Sequence, residues 1–385
     1  MIKRLVQALA VVTLLPLVAI LGIPAPARAQ SVVSTISVGT TPAGVAVNST
    51  TNRVYVANSG SNDVSVIDGS TNAVVATVAV GTNPQGVAVN PTTNRIYVAN
   101  QGGDNVSVID GRTNTVVATV QVGGRPFGVA VNPTTNRIYV GNGDGNSVSV
   151  IDGASNAVVA TRSFASSPAG IAVNPTTNRV YVITVGADGV LSVIDGSNNT
   201  LITTLPSGSH SLDVAVNPTT NRFYVTNTMI GNVSVFEGAT NKFTVAIQIG
   251  QVPTGTFGVA VNPTTNRIYV TSFTRGVNGF SVIDGATNAI VATLPNVGGA
   301  GEVAVDPTTN SVYLVNPSGN SVSVVQDSAP SGAPQAAATP PAAVASQPAQ
   351  LPRAGEPAPP ATIALGTGML LVALGLAARR AARPT

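Results

Sequence analysis

The sequence has no cysteine and no tryptophan, one histidine, and charged side chains at only 9% of its 385 positions. Without cysteine no disulfide braces the fold, which suits a domain large enough to bury its own core. Catalytic constellations are correspondingly scarce, since thiol nucleophiles are excluded and His210 is the one imidazole. Positive charge is also missing from the middle of the chain. The formal net charge is +3, but Lys3, Arg4, Arg28, Arg353, Arg379, Arg380 and Arg383 all lie near the ends. The eleven basic residues between Gln30 and Gln350 face fourteen acids, a balance of −3. A basic footprint for nucleic acid is absent there. Helical periodicity is lacking as well.

What is present is a repeat. Gly86 to Asn100 reads GVAVNPTTNRIYVAN, two apolar runs joined by a polar turn, and counterparts begin at Gly44, Gly128, Gly170, Asp213, Gly258 and Glu302. The seven tyrosines of the protein, Tyr55, Tyr97, Tyr139, Tyr181, Tyr224, Tyr269 and Tyr313, each mark one copy. A period of 42 to 45 residues is one supersecondary unit that buries its face only against a neighbour. Between copies lie two more Val- and Thr-rich segments, such as Asn105 to Asp110 and Thr115 to Val122, bounded by Gly and Asn. Four short strands per repeat and seven repeats predict an all-β, seven-bladed β-propeller of four-stranded antiparallel blades over residues 30–327.

The ends are of different kinds. Residues 1–29 read as a secretory signal peptide, with Lys3 and Arg4, an apolar core from Leu5 to Ile23, and a small-x-small site at Ala27-Arg28-Ala29, so that cleavage after Ala29 would leave Gln30 first. Residues 328–350 are a Pro/Ala-rich stalk with five prolines, up to roughly 70 Å long if extended. Within residues 351–385, Leu351-Pro352-Arg353-Ala354-Gly355 precedes an apolar run from Ala361 to Ala378 and a basic tail. That run would span about 27 Å as a helix, enough for a bilayer core, and the terminal arginines would place the C-terminus in the cytoplasm. The arrangement resembles an LPxTG-like sortase sorting signal, with Ala354 where the pattern has Thr. The resemblance implies cleavage between Ala354 and Gly355 and attachment to the cell wall, with sortase as the partner; the alternative is a retained single-span anchor. Either places the propeller outside the cell.

Val32 to Gly39 matches the fourth strand of a repeat, and the last copy stops after its third strand, so the N-terminal strand is expected to complete the last blade and remove an open pairing edge. The first turn of each repeat (NPTTNR and its variants) and the third turn (Asp110 to Asn114 and counterparts) share one face and use turn-forming residues. Loops that differ between blades, including 183–190, 206–212, 226–231, 251–257 and 271–279, share the other, where recognition is expected.

The motif Tyr224-Val225-Thr226-Asn227, with variants at the other six tyrosines, resembles the signature of the YVTN β-propeller family over about residues 32–327. The resemblance implies an extracellular, surface-layer-like propeller and no particular activity. The lack of tryptophan disfavours WD40 repeats.

Two departures from the repeat draw attention. The innermost strand begins with Gly in five copies but with Asp213 and Glu302 in the fifth and seventh, at the expected channel mouth and with His210 close in sequence to Asp213. Two carboxylates there could hold a divalent cation or serve as acid and base; they could equally be solvated acids, and His210 a solvated loop residue. Asn142, Asp144 and Asn146 have the alternating spacing of a calcium loop but lack its downstream Glu, having Gly153 there. No cofactor is expected, with calcium the one the spacing admits.

These readings favour a non-enzymatic, surface-displayed module that binds a protein, polysaccharide or other envelope component. Asp213, Glu302, His210, Arg125, Phe127, Met229, Phe257, Phe273 and Arg275 are its candidate contacts, and the membrane is met only through the C-terminal segment. The alternatives are an extracellular lactonase-like or lyase-type propeller with a metal at the channel mouth, and a passive coat or spacer.

Overall fold

Among the residues described by the computed structural model, 30–186, 189–249, 254–274, 277–299 and 301–327, twenty-eight strands form seven four-stranded antiparallel sheets. The first blade is Pro42–Asn48, Arg53–Asn58, Asp63–Asp68 and Ala73–Ala79, hydrogen-bonded in that order from the channel outward. The seventh takes Val303–Asp306, Ser311–Asn316 and Ser321–Gln326 from the end of the domain and its outer strand, Ser31–Ser37, from the beginning. There Thr35 lies opposite Ser323. The expected signal peptide, stalk and sorting segment, with Ala29, Leu351, Pro352, Ala354 and Gly355, lie outside the described residues. No helix among the described residues is long and apolar enough to cross a membrane; the expected span at 361–378 falls outside them.

The sequence patterns follow from how each strand is covered. Second and third strands are buried almost throughout, as in Arg95–Asn100 and Asn105–Asp110, so they read as apolar runs without alternation. Apolar clusters straddle the blade junctions. Tyr55 of the first blade packs with Val87, Ile96, Val98 and Ile109 of the second, and Tyr313 of the seventh with Val54, Val56 and Ile67 of the first. All seven tyrosines are fully buried. Each therefore fills the widening gap between radiating sheets with a flat, large side chain.

Outer strands differ. Val74 and Val75 are exposed, and the register slips there: Ile67 faces Val74 and Val66 faces Ala76, leaving Val75 as a bulge. Corresponding slips occur at the outer strands of the other blades. A bulge twists an open edge and interrupts its capacity to pair with another chain.

On the repetitive turn face the side chains are engaged. Asn48 Oδ1 accepts from Thr50 N, and its Nδ2 donates to Asn94 Oδ1 of the next blade at 2.8 Å. The same bond joins Asn90 to Asn136, Asn132 to Asn178, Asn174 to Asn221, Asn217 to Asn266 and Asn262 to Asn310. The seventh junction has Asp306 in the donor position, and a carboxylate has no proton to give. The accepting asparagines sit in left-handed backbone, Asn94 at φ 51° and Asn136 at φ 53°, which Asn tolerates better than most residues. Asp110 and Asp152 pair with Arg95 and Arg137 across the strands and accept backbone N–H groups of their own turns. The chain also enters and leaves the ring on this face. Asp327 N donates to Asn310 O at 3.0 Å, and Gln30 Nε2 donates to Asp327 Oδ1 at 2.8 Å.

On the opposite face several of the expected variable loops are strand extensions. The outer strand of the fourth blade runs Thr200–Gly208, and the sixth blade carries Arg267–Thr274 and Val277–Asp284 as a long hairpin. Added residues there continue the ladder because their backbone groups still find antiparallel partners.

Candidate functional site

The inner strands start two residues earlier than the repeat suggests, at Pro42, Pro84, Pro126 and Pro168, and each bulges immediately. In the third blade Pro126 pairs with Asn142 but Val129 with Val140, so two residues, Phe127 and Gly128, oppose one. The fifth blade slips in the same way between Ser211 and Val214. These bulged residues line the channel.

Immediately inside the mouth is a cavity of about 130 Å³, whose lining includes Gln85, Phe127, Ala169, Leu212, Asp213 and Glu302. The glycines at this level are required by close approach. A Cβ at Gly44, Gly86 or Gly128 would sit 2.3, 2.2 and 2.2 Å from the carbonyl oxygen of Gln85, Phe127 or Ala169 on the following blade. Asp213 places a carboxylate at such a junction and turns it to the following blade's donor. Its Oδ2 accepts from Val259 N at 2.9 Å and its Oδ1 from Val214 N at 2.8 Å. Glu302 comes from the seventh blade, with its Cα 3.1 Å from where a Gly258 Cβ would be. Its carboxylate accepts no hydrogen bond from any described residue.

Electrostatics separate this pair from the turn-face acids. Burial pushes the Asp213 carboxyl up to about 6, against the opposing effect of its two N–H donors. Burial also raises Glu302 well above the usual carboxylate range, and the Asp213 charge adds to the rise. Asp68, by contrast, is held down at about 2, first by the Ser70 hydroxyl and then by the Ser70 N–H. Among the described residues the cavity lining contains no Lys, Arg or His.

Two residues that position the pair were not singled out from the sequence. Thr226 Oγ1 accepts from Asp213 N at 3.1 Å and donates to Phe257 O at 2.8 Å. Thr271 Oγ1 accepts from Gly258 N at 2.9 Å and donates to Gly301 O at 2.8 Å. The second strand has alanine or glycine there in the first three blades, Ala57, Ala99 and Gly141. The Thr of YVTN, in the fifth and sixth blades, was the available signal: it ties each inner-strand bulge to the next blade where the acids occur.

The other candidates are dispersed. His210 is exposed, at φ 51°, with Nδ1 3.3 Å from Ser209 Oγ; it is not among the cavity's lining residues. Phe127 lines both this cavity and a neighbouring cleft of about 240 Å³, where Arg125 and Asp144 form an ion pair at 3.3 Å, each side chain 60% exposed. Met229 and Phe273 are exposed, and Phe257 is half-buried. Arg275 lies outside the described residues. In the expected calcium loop, Asn142 is buried and donates to Ser147 Oγ and Ser149 Oγ, Asp144 faces Arg125, and Asn146 takes the left-handed turn position at φ 42°. Among the described residues no three His, Cys, Asp or Glu side chains converge as a metal site.

Many solved structures share the fold. A chain titled Kuenenia stuttgartiensis hydrazine synthase is similar over 75% of this chain and 96% of its own, with a TM-score of 0.67 at 20% identity; at that identity the likeness is one of fold. No curated protein matches the sequence. Residues 12–329, most of the chain, match the family described as YNCE-like beta-propeller, and the chain belongs to that family.

Proposed function

We propose that this protein is a displayed, non-enzymatic binding module that recognises a protein, polysaccharide or other envelope component through its variable loop face. The observation that carries this is the division of the ring. The first and last described residues, Gln30 and Asp327, are on the turn face, while the irregular hairpins and the exposed Met229 and Phe273 are on the other. A partner that approaches the loop face meets neither Gln30 nor Asp327. The signal peptide, stalk and sorting segment read from the sequence suit a surface position, with sortase or a retained span as the means of attachment.

The test is saturable binding of the full-length protein to polysaccharides, envelope fractions and extracellular proteins, with and without calcium. Met229→Ala with Phe273→Ala should weaken binding at least tenfold, and Arg112→Ala on the turn face should leave it unchanged. Binding insensitive to the loop-face pair would overturn the reading. Turnover of a lactone or glycan, lost in Asp213→Asn, would favour a lactonase-like or lyase-type enzyme instead. Absence of both binding and turnover would favour a coat or spacer.

A further inference from the structure

The described residues that line the channel cavity include two carboxylates and no basic side chain. Confined charge of one sign draws in a proton or a cation, because the dry, low-dielectric surroundings do little to screen it. The two acids differ in what they can offer. Both oxygens of Asp213 already accept backbone N–H groups, whereas the Glu302 side chain, also in the lining, accepts from no described residue.

The rest of the lining decides which cation fits. Calcium asks for six to eight oxygen ligands, and beyond the two carboxylates the side chains are mostly apolar, including Val45, Val87, Phe127, Val129, Ile171 and Leu212. Such walls favour a cation with an apolar body. The volume, about 130 Å³, is a little below that of an apolar cavity of ~150 Å³ that accepts benzene. A body of four to six carbons is therefore the scale.

We propose that the channel mouth binds a primary ammonium group on a short apolar chain, with Glu302 accepting its N–H donors and Asp213 supplying the second charge. This rests on the loop face being the binding face and names the chemistry of its centre. The ammonium end enters past Phe127 and Leu212, its carbons lie against the valines, and the charge takes the place of the proton that burial otherwise favours on the pair. A free alkylamine and the lysine side chain of a partner share this chemistry.

The experiment is a titration of full-length protein with n-butylammonium at pH 7.5, followed by isothermal calorimetry and by the methyl NMR signals of Val45, Val87 and Leu212. N-acetyl-lysine methylamide forms a second arm, and n-butanol and calcium chloride are controls. Saturable n-butylammonium binding is expected, weakened at least tenfold in Glu302→Gln, with no comparable response to n-butanol and no displacement by calcium. No described residue donates to the Glu302 carboxylate, so Glu302→Gln is expected to keep the fold, which circular dichroism checks. A response to the lysine arm identifies a protein side chain as an admissible source; its absence, with n-butylammonium bound, restricts the site to free amines. Equal affinity in wild type and Glu302→Gln, no saturation, or displacement by calcium would overturn the proposal. Partner binding that still depends on Met229 and Phe273 would then leave the broader function standing.

Discussion

The two faces of the ring use the same chemical group in opposite ways. On the turn face, aspartates such as Asp110 and Asp152 are tied to arginines and to the N–H groups of their own turns, and their carboxyls are held below the ordinary value by those donors. At the mouth, Asp213 is raised by burial despite two donors, and Glu302, raised by burial and by the Asp213 charge, accepts from no described residue. Engaged polar groups specify the ring. A group left unengaged in a half-buried site lowers stability and is retained where binding needs it.

The largest effect should come from breaking the ring itself. Removing residues 31–37 strips the outer strand from the seventh blade and exposes the Ser321–Gln326 edge. The cooperative circular-dichroism melt should be lost, and an unchanged melt would show that the seventh blade does without it. Tyr97→Ala empties a junction between the second and third blades, where Tyr97 packs with Ile138, Val140 and Ile151, and should cost about 3–5 kcal/mol in denaturant unfolding.

Smaller effects sharpen the contrast between the faces. Asn90→Ala removes one inter-blade bond to Asn136 and the cap on Thr92 and Thr93, and should cost about 1–3 kcal/mol. Arg125→Ala breaks a pair between mostly exposed side chains on the loop face and should change stability by no more than about 0.5 kcal/mol. A larger loss there would mean that the cleft beside the channel contributes to the ring as well as to its surface.

Those differences also explain how far the sequence could be read. Seven tyrosines at one period gave the blade number because each fills the same gap between sheets, and NPTTNR announced a turn because Asn and Pro are turn chemistry. What NPTTNR did not announce was its reach: that Asn90 bonds Asn136 in the next blade depends on the blades' lateral spacing, which no local pattern carries. Asp213 and Glu302 were visible as breaks in a run of glycines. Their different hydrogen bonding was not, since the Val259 donor lies 46 residues from Asp213. The bulges that turn Phe127 and Leu212 to the channel were hidden for a related reason: a bulge is a mismatch between two strands, and neither strand alone shows it.

The two faces should also have opposite pH dependence. Carboxyls held low on the turn face contribute stability that is present above the ordinary carboxylate range and lost as pH falls below it. A carboxyl raised in the fold favours the protonated native state, so its stability contribution is lost as pH rises from the unfolded value, 3.8 for Asp213, through about 6. The most direct test compares the thermal midpoints of wild type, Glu302→Gln and Asp152→Asn at pH 4 and pH 7. Glu302→Gln should raise the midpoint at pH 7, with the gain shrinking at pH 4, and Asp152→Asn should lower it at pH 7. A lowered midpoint for Glu302→Gln at pH 7 would contradict this, because it would mean that the channel carboxylate, like those on the turn face, helps to hold the ring.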